Sequence, residues 1–299
     1  MKIAYQNKRF YPESIRIIEI ADAICEDYAE QGLNLTLRQL YYQFVARDII
    51  ENNMKSYKRL QALINNARLA GLIDWNVIVD RTRNLQTHAS WSEPESIIYS
   101  AAEGFRRDPW KNQEYVVQAW VEKDALLGVM ERASETWRLP YFSCRGYVSQ
   151  SEIHQAAYDL KKVGKEVIIL HLGDHDPSGV DMTRDMQDRF HMFGATNVTF
   201  KRIALTMQQI RSLRPPPNPA KITDTRASKY IQEFGHESWE LDALTPEYIV
   251  KLVDEEAEKF IDIEAWDEVI EQEVKDMNHL SEMADDYDAI VDFLKKKNE

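Results

Sequence analysis

The chain has 299 residues and a formal net charge of −13, and 44% of its residues are apolar and 29% charged. This composition is typical of a folded globular protein and excludes a collagen-like, disordered or disulfide-rich chain. No apolar run approaches the roughly 18 to 20 residues of a membrane helix. The N-terminal sequence lacks the apolar segment of a signal peptide, and the two cysteines match no zinc spacing. We therefore expect a cytoplasmic protein that has no membrane partner.

Charge is distributed unevenly along the chain. Residues 233–299 hold 22 acidic and six basic residues, whereas residues 38–83 hold eight basic and four acidic ones. A local excess of bases suits contact with nucleic-acid phosphates, although bases on solvated helix faces would give the same pattern. The expected DNA contacts are Arg38, Lys58, Arg59, Arg68 and, further along the chain, Arg145.

The first 83 residues predict three helices followed by a short β element. Apolar residues at helical spacing, with Gly32 and Gly71 as stops, predict helices over 12–31, 36–47 and 56–70. The following stretch, "GLIDWNVIVDRTR" (71–83), is β-like. Three helices and a β element, with bases on the third helix, are typical of a winged helix-turn-helix domain, which we assign to residues 1–90. Other small helical domains share this pattern.

The rest of the chain predicts a linker and an α/β domain. Residues 91–113 are polar and irregular, with one helical patch at 94–105, and predict a linker. Strands then alternate with helices, which predicts a Rossmann-like parallel sheet with right-handed crossovers. A helical, acidic C-terminal extension completes a domain over 114–299. The predicted strands are 114–121, 139–144, 166–172 and 197–205.

Three acidic residues follow two of the predicted strands. Glu122 comes after the first strand, and Asp174 and Asp176 come after the third, in "HLGDHDPSG". Ligands of an open parallel sheet lie beyond the carboxyl ends of its strands, and residues two apart in an extended chain point to the same side. Clustered carboxylates repel one another unless a cation joins them, which predicts bound Mg²⁺, with Mn²⁺ as an alternative. The other interpretation is that each acid caps the helix that follows it.

A family resemblance is carried by three sequence blocks. "VEKDAL" (121–126), "CRGYVSQ" (144–150) and "LGDHDPSGVDM" (172–182) resemble the signature blocks of a Toprim domain. They are most similar to the version in the DNA-cleaving subunit of topoisomerase VI, a type IIB topoisomerase, and in the related meiotic double-strand-break protein. "WELDALTPEYIVKLVDEEAEKF" (239–260) resembles that family's closing segment. The resemblance implies that Glu122 is a general acid/base or metal ligand, and that Asp174 and Asp176 hold Mg²⁺.

The same resemblance points to a tyrosine nucleophile. "TLRQLYYQFVARDII" (36–50) resembles the family's Arg-x-x-Tyr-Tyr block, which assigns the nucleophile to Tyr42. Helical geometry places Tyr41 on the core stripe and Tyr42 on its flank, on the same side as Arg38. We expect Tyr41 to be buried and Tyr42 exposed, with Arg38 holding the scissile phosphate and favouring the phenolate. The alternative is that Tyr42 rims the core or contacts the DNA backbone.

The resemblance implies Mg²⁺-dependent cleavage of double-stranded DNA by tyrosine transesterification, which leaves a 5′-phosphotyrosyl link. It also implies a homodimer in which Tyr42 of one copy works with the acids of the other. No Gly-rich nucleotide-binding loop is present, so a separate ATPase protein would have to drive strand passage. Two alternatives stay open: a Toprim endonuclease that uses water as its nucleophile, and a non-catalytic DNA-binding or assembly factor.

Overall fold

A computed structural model describes residues 1–30, 32–79, 90–144 and 148–298. Its α-helices are α1 (Pro12–Glu30), α2 (Leu37–Ala46), α3 (Met54–Leu69), α4 (Pro94–Gly104), α5 (Leu127–Glu135), α6 (Gln150–Lys161), α7 (Pro177–Met192), α8 (Met207–Leu213), α9 (Ala227–Phe234), α10 (Pro246–Glu258), α11 (Ile263–Asp285) and α12 (Tyr287–Asn298). Its strands are β1 (Tyr115–Val121), β2 (Tyr141–Ser143), β3 (Glu166–Leu172), β4 (Val198–Ala204), β5 (Asn218–Pro219) and β6 (Glu237–Ser238). Within these ranges no helix has both the length and the hydropathy that crossing a lipid bilayer requires.

Strands β1 to β4 form a parallel sheet in the order β2-β1-β3-β4. Ala119 pairs with Tyr141, and Val167 pairs with Val198. Because parallel strands need long crossovers, α5, α6 and α7 connect successive strands. The α/β prediction with a parallel sheet is confirmed. Since β1 and β3 are neighbours, the residues that follow them meet at one edge of the sheet.

Aromatic packing holds α7 and β4 against β1. The ring of Trp120 lies 5.9 Å from that of Phe190 and 5.5 Å from that of Phe200, and the rings of Phe190 and Phe200 are 5.0 Å apart. All three pairs have the edge-to-face geometry that aromatic quadrupoles favour. This packing holds the last turn of α7 against the sheet.

Helices α1, α2 and α3 share one apolar core, in which Leu40, Phe44 and Ile64 are almost fully buried. Helix α2 begins with a capping box: the Thr36 hydroxyl accepts from the Gln39 N–H at 3.3 Å, and Gln39 Oε1 accepts from the Thr36 N–H at 2.8 Å. Thr36 is thus the N-cap of α2, at the predicted start of the second helix. Every residue of α2 from 39 to 45 is buried, which makes α2 the central helix of this core.

The β element predicted after α3 takes a different form in the part that is described. Residues 71–79 form turns and bends and no strand; Ile78 makes an isolated parallel bridge with Leu35. The end of the predicted β run, residues 80–83, lies outside the described residues. The winged arrangement therefore stays a prediction.

The chain divides into two compact units. The first comprises residues 1–83 and 117–259, and the second comprises residues 84–116 and 260–299. The predicted domain boundaries at residues 90 and 113 stay predictions. The first compact unit contains both the N-terminal helices and the sheet. In the second unit, α4 packs along α11, and the ring of Trp110 lies 5.4 Å from that of Trp266. The described part of the predicted linker thus contains a helix that packs against the C-terminal extension.

Strand β3 carries the centre of the sheet's core, where Leu170 is fully buried. We expect Leu170→Ala to lower the free energy of unfolding by about 3 kcal/mol, because the lost contacts leave a cavity. Urea unfolding measures this value. Leu213→Ala, at a side chain that is 44% exposed, is the matched control and is expected to change stability by less than about 0.5 kcal/mol. Equal losses in the two variants would contradict the burial of β3.

Candidate functional site

The ends of β1 and β3 bring two of the predicted site residues into contact. The Glu122 N–H donates to the Leu172 carbonyl at 2.9 Å, and Glu122 Oε2 accepts from the Asp174 N–H at 2.8 Å. A Cβ atom at Gly173 would lie 2.9 Å from Glu122 Oε2, and one at Gly179 would lie 2.3 Å from the Asp174 carbonyl oxygen. Gly179 therefore requires glycine, because the clash is with the backbone, whereas a Cβ atom at Gly173 would displace the side chain of Glu122.

Asp174 and Asp176 make different contacts. Asp176 caps α7, because its Oδ1 accepts from the Gly179 N–H at 2.7 Å. Asp174 Oδ1 instead accepts from the Leu241 N–H at 2.7 Å and lies 2.9 Å from Lys123 Nζ. The capping interpretation thus holds for Asp176, whereas Asp174 is bound to residues that are distant in sequence.

His175 points away from the acids and joins their turn to the segment that follows β6. Its N–H donates to the Trp239 carbonyl at 2.8 Å, and the Trp239 N–H donates to the His175 carbonyl at 2.9 Å. Its ring packs against Tyr230, Phe234 and Trp239, and its Nδ1 lies 2.8 Å from the Tyr230 hydroxyl. Burial lowers the pKa of His175 to about 4, so this ring is neutral at neutral pH. The contact positions Leu241 to reach Asp174.

Glu122, Asp174 and Asp176, here named the carboxylate cluster, repel one another. Burial raises the pKa of Glu122 to about 7; the charges of Asp174 and Asp176 add to this, while the Asp174 N–H and Lys123 oppose it. Burial also raises the pKa of Asp174, against the attraction of Lys123 and the Leu241 N–H. The cluster therefore favours any added positive charge.

The carboxylate cluster fits Mg²⁺ in the kind of donor it offers, since this ion prefers carboxylate oxygens. Hydrogen bonds within the protein already engage one oxygen of each carboxylate. Across the described ranges, no group of three or more His, Cys, Asp or Glu side chains is spaced to hold a metal ion. The side chains would have to turn toward a shared point before they bound an ion together.

Arg202 of β4 is a buried cation behind the carboxylate cluster, and sequence reasoning missed it. Its guanidinium donates to the carbonyls of Gly173 at 2.9 Å and Gly179 at 2.8 Å, and also to that of Asp174. Burial lowers the pKa of Arg202, but the three charges of the cluster raise it. Arg202 thus fixes the turn that carries Asp174 and the first turn of α7. The available signal was an arginine in the mostly apolar strand "NVTFKRIAL".

A second set of charges, Arg38, Lys123, Glu240 and Asp242, is here named the ion-pair bridge. Lys123 Nζ lies 2.9 Å from Glu240 Oε2 and 3.0 Å from Asp242 Oδ2. Arg38 pairs with the same two atoms, through its NH2 group with Glu240 and through Nε with Asp242 at 3.2 Å. Because Lys123 also pairs with Asp174, the bridge joins α2 to the carboxylate cluster.

Three residues of the ion-pair bridge were not predicted as site residues from the sequence. They are Lys123 in "VEKDAL" and Glu240 and Asp242 in "ELDAL". The available signal was the pair of acids two residues apart in "ELDAL", the same spacing as Asp174 and Asp176. The cationic partner follows Glu122 directly in the chain.

The predicted exposure of Tyr42 is wrong. Tyr42 is only 3% exposed, like the neighbouring Tyr41 at 4%, whose predicted burial is confirmed. Burial raises the pKa of Tyr42 to about 12; Glu240 adds to this, while Arg38 and a hydrogen bond with Asn218 oppose it. Arg38 thus favours the phenolate in direction, as expected, but burial and Glu240 outweigh its effect on the pKa of Tyr42. Arg38 still lies near Tyr42, 5.9 Å from the centre of its ring.

The predicted DNA contacts on α3 divide into two kinds. Lys58 and Arg59 are exposed. Arg68 is half-buried: its guanidinium donates to the Trp75 carbonyl at 2.7 Å and lies 4.6 Å from the centre of the Trp75 ring. Its charge is engaged inside the protein. The remaining predicted contact, Arg145, lies outside the described residues.

Fold and site together define an α/β protein whose parallel sheet carries clustered carboxylates at its carboxyl edge. No protein-family model matches the sequence, and no curated protein matches it. Support for a function of this chain therefore comes from the contacts among the described residues.

The Arg202 guanidinium donates to three main-chain carbonyls at once. The single ammonium group of a lysine cannot replace all of these donors. We expect Arg202→Lys to lower the free energy of unfolding by about 2 to 3 kcal/mol, because the carbonyls of Gly173, Asp174 and Gly179 lose charge-assisted hydrogen bonds that one ammonium group cannot replace together. Arg184→Lys is the control, since Arg184 forms exposed pairs on α7 and is expected to contribute less than about 1 kcal/mol. Urea unfolding that gave Arg202→Lys the stability of the control would contradict the positioning role.

The pKa of Glu122 predicts a pH dependence with a definite sign. Since this pKa is raised from 4.5 to about 7 in the folded protein, the stabilising effect of the protonated carboxyl is complete below pH 4.5 and is lost as the pH rises through 7. Glu122→Gln stays neutral and keeps an oxygen acceptor. In metal-free buffer we expect its stability advantage over the unchanged protein to grow from near zero at pH 4.5 to roughly 2 to 3 kcal/mol at pH 8. Urea unfolding across this range that gave a constant difference would contradict the raised pKa.

Proposed function

We propose that this protein is a Mg²⁺-dependent DNA-cleaving enzyme that resembles the DNA-cleaving subunit of topoisomerase VI, with Tyr42 as its nucleophile. In this proposal the three N-terminal helices belong to a winged-helix domain over residues 1–90, and the sheet belongs to a Toprim domain over residues 114–299. The observation that carries the proposal is the ion-pair bridge. It joins Arg38 of α2, beside Tyr42, to Lys123 and Asp174 at the sheet edge.

The proposed reaction is a transesterification. The Tyr42 oxygen attacks the phosphorus of a DNA phosphodiester, the bond from phosphorus to the 3′ oxygen breaks, and a 5′-phosphotyrosyl link forms. Tyr42 loses its proton, and the 3′ oxygen gains one. Arg38 binds the phosphate through its guanidinium, which matches phosphate oxygens in geometry and charge.

Glu122, Asp174 and Asp176 would hold Mg²⁺, which when bound supplies positive charge to the phosphate. Glu122 is also the group that passes a proton to the 3′ oxygen. In the metal-free protein its pKa is raised to about 7 by burial and by the neighbouring acids; a bound cation would lower this pKa. The repulsion within the carboxylate cluster supports this assignment, because an ion relieves it.

One observation favours a second candidate, a Toprim endonuclease with water as its nucleophile. Tyr42 is buried, and its pKa is raised to about 12, so its phenol is protonated at neutral pH. A metal site formed by the carboxylate cluster would not depend on this tyrosine. Both candidates act on double-stranded DNA, and strand passage in the first would need a separate ATPase protein.

A plasmid assay separates the candidates. Supercoiled DNA is incubated with the protein and Mg²⁺ and quenched in detergent, with and without protease. We expect protein-linked ends, and we expect Tyr42→Phe and Asp174→Asn each to lower their formation by at least about a thousandfold. Tyr41→Phe, which removes the hydroxyl of the neighbouring tyrosine, is the matched control and is expected to retain cleavage.

Other outcomes of this assay assign a different function. Free ends that survive Tyr42→Phe but disappear in Asp174→Asn would identify the endonuclease. DNA binding without cleavage, in either Mg²⁺ or Mn²⁺, would identify a non-catalytic DNA-binding or assembly factor.

The ion-pair bridge joins the helix of Tyr42 to the acids of its own copy, whereas the resemblance implies a homodimer in which Tyr42 of one copy works with the acids of the other. Mixed variants separate these two arrangements. When Tyr42→Phe and Asp174→Asn proteins are mixed, a dimer that works across copies regains one complete site and nicks one strand. Cleavage of both strands is not regained, because the second site of the mixed dimer lacks both the Tyr42 hydroxyl and the Asp174 carboxylate. A mixture as inactive as its components would contradict action across copies and favour a site within one chain.

A further inference from the structure

In the ion-pair bridge, two carboxylates each contact the same two cations. Glu240 Oε2 contacts both Arg38 and Lys123, and Asp242 Oδ2 contacts both as well. A DNA phosphodiester also presents two oxygens that share one negative charge, and it takes the same guanidinium and ammonium donors. Arg38 and Lys123 are therefore placed so that one phosphate group reaches both.

Glu240 also acts on Tyr42. Hydrogen bonding by its side chain is among the causes that raise the pKa of the Tyr42 phenol, and Asn218 Nδ2 donates to Glu240 Oε1 at 3.4 Å. The phenol, the guanidinium and the ammonium thus converge on one carboxylate. A phosphate attacked by Tyr42 must stand at this position, since reacting atoms have to come within about 3 to 3.5 Å of each other.

A role for Glu240 as the base that deprotonates Tyr42 does not fit its charge environment. Burial would raise the pKa of Glu240, but Lys123 and Arg38 lower it to about 2, whereas the pKa of Tyr42 is raised to about 12. A carboxylate this weakly basic is a poor proton acceptor for a phenol. Glu240 instead resembles the phosphate in charge and in partners.

Solvent exposure distinguishes the two bridging acids. The side chain of Glu240 is 27% exposed and that of Arg38 is 44% exposed, whereas that of Asp242 is fully buried. Glu240 is therefore the carboxylate that can turn out into solvent, while Asp242 stays and continues to neutralise Lys123. An incoming anion would reach the cations from the side of Arg38 and Glu240.

We propose that Arg38 and Lys123 form the binding site for the scissile phosphate, and that Glu240 occupies this site until DNA displaces it. The identity of the ligand as a DNA phosphodiester rests on the proposed function. Glu240 acts as an internal substitute for the phosphate and favours the protonated phenol of Tyr42 in the absence of DNA. Lys123 becomes a phosphate-binding residue, a role that neither its sequence position nor the resemblance assigns.

The test measures DNA affinity in the absence of cleavage. Glu240→Gln is placed in a Tyr42→Phe background, and binding to a short labelled duplex is measured in EDTA. We expect the affinity to rise about tenfold over Tyr42→Phe alone, because a competing anion has been removed. Glu237→Gln, which removes the same charge from an exposed position three residues earlier, is the matched control and is expected to change affinity by less than about twofold.

Salt dependence and a second substitution connect the gain to the cations. One additional phosphate contact steepens the slope of log affinity against log salt by about one, so we expect this change in Glu240→Gln and not in Glu237→Gln. Adding Lys123→Gln to Glu240→Gln should abolish the gain. A purely structural role of Glu240 would leave the salt slope unchanged.

Inorganic phosphate separates this proposal from DNA cleavage. We expect phosphate to raise the thermal midpoint of Glu240→Gln, relative to chloride at equal ionic strength, and to leave that of the unchanged protein alone. A gain in phosphate binding, in a protein that cleaves no DNA, would support the phosphate site and refute the proposed enzyme. Unchanged affinity, salt slope and thermal midpoint would overturn the phosphate site. If Glu240→Gln does not fold, Glu240→Asp carries the same test with a smaller expected gain, because its shorter side chain keeps the charge but not both contacts.

Discussion

A single ammonium group, Nζ of Lys123, holds together three carboxylates that come from two distant parts of the chain. Asp174 follows β3, and Glu240 and Asp242 follow β6, yet all three lie within 3.0 Å of this nitrogen. Without it the three negative charges would repel one another in a partly buried space, where water screens them poorly. Through Glu240 and Asp242 the same nitrogen is coupled to Arg38 of α2. These ion pairs therefore add to the contacts of Asn52 with Asn218 and of Ala243 with the N-terminal core in placing α2 beside the sheet edge.

Two internal cations allow the carboxylate cluster to exist in the folded protein. Arg202 binds main-chain carbonyls of the turn that carries Asp174, whereas Lys123 binds the side chain of Asp174. The two contacts would respond differently to an added ion. An added ion would compete with Lys123 for Asp174 but would leave Arg202 in place, since Arg202 touches no carboxylate oxygen in its hydrogen bonds with the turn. Binding of an ion and rearrangement of the ion-pair bridge are thus coupled through Asp174.

The sequence predicted the local structure well and the long-range contacts only in part. Periodicity located the helices and the strands β1 to β4, because each depends on neighbouring residues. The contact between Glu122 and Asp174 followed from the general rule for parallel sheets, although the strand order itself is not encoded locally. The exposure of Tyr42 was predicted wrongly because a helical wheel describes one helix and its own core. The groups that act on Tyr42, Asn218 and Glu240, lie more than 170 residues away in sequence. Arg202 was missed for the same reason, since a strand residue gives no local sign of the turn that it binds.

The second compact unit has a consequence for how the chain is synthesised. Helix α4 ends at Gly104, and its packing partner α11 begins at Ile263, about 160 residues later. During translation α4 therefore emerges long before the helix against which it packs. The sheet and its helices, residues 117–259, have to be completed in between. A ribosome-bound nascent chain would thus carry α4 without its packing partner until α11 is made.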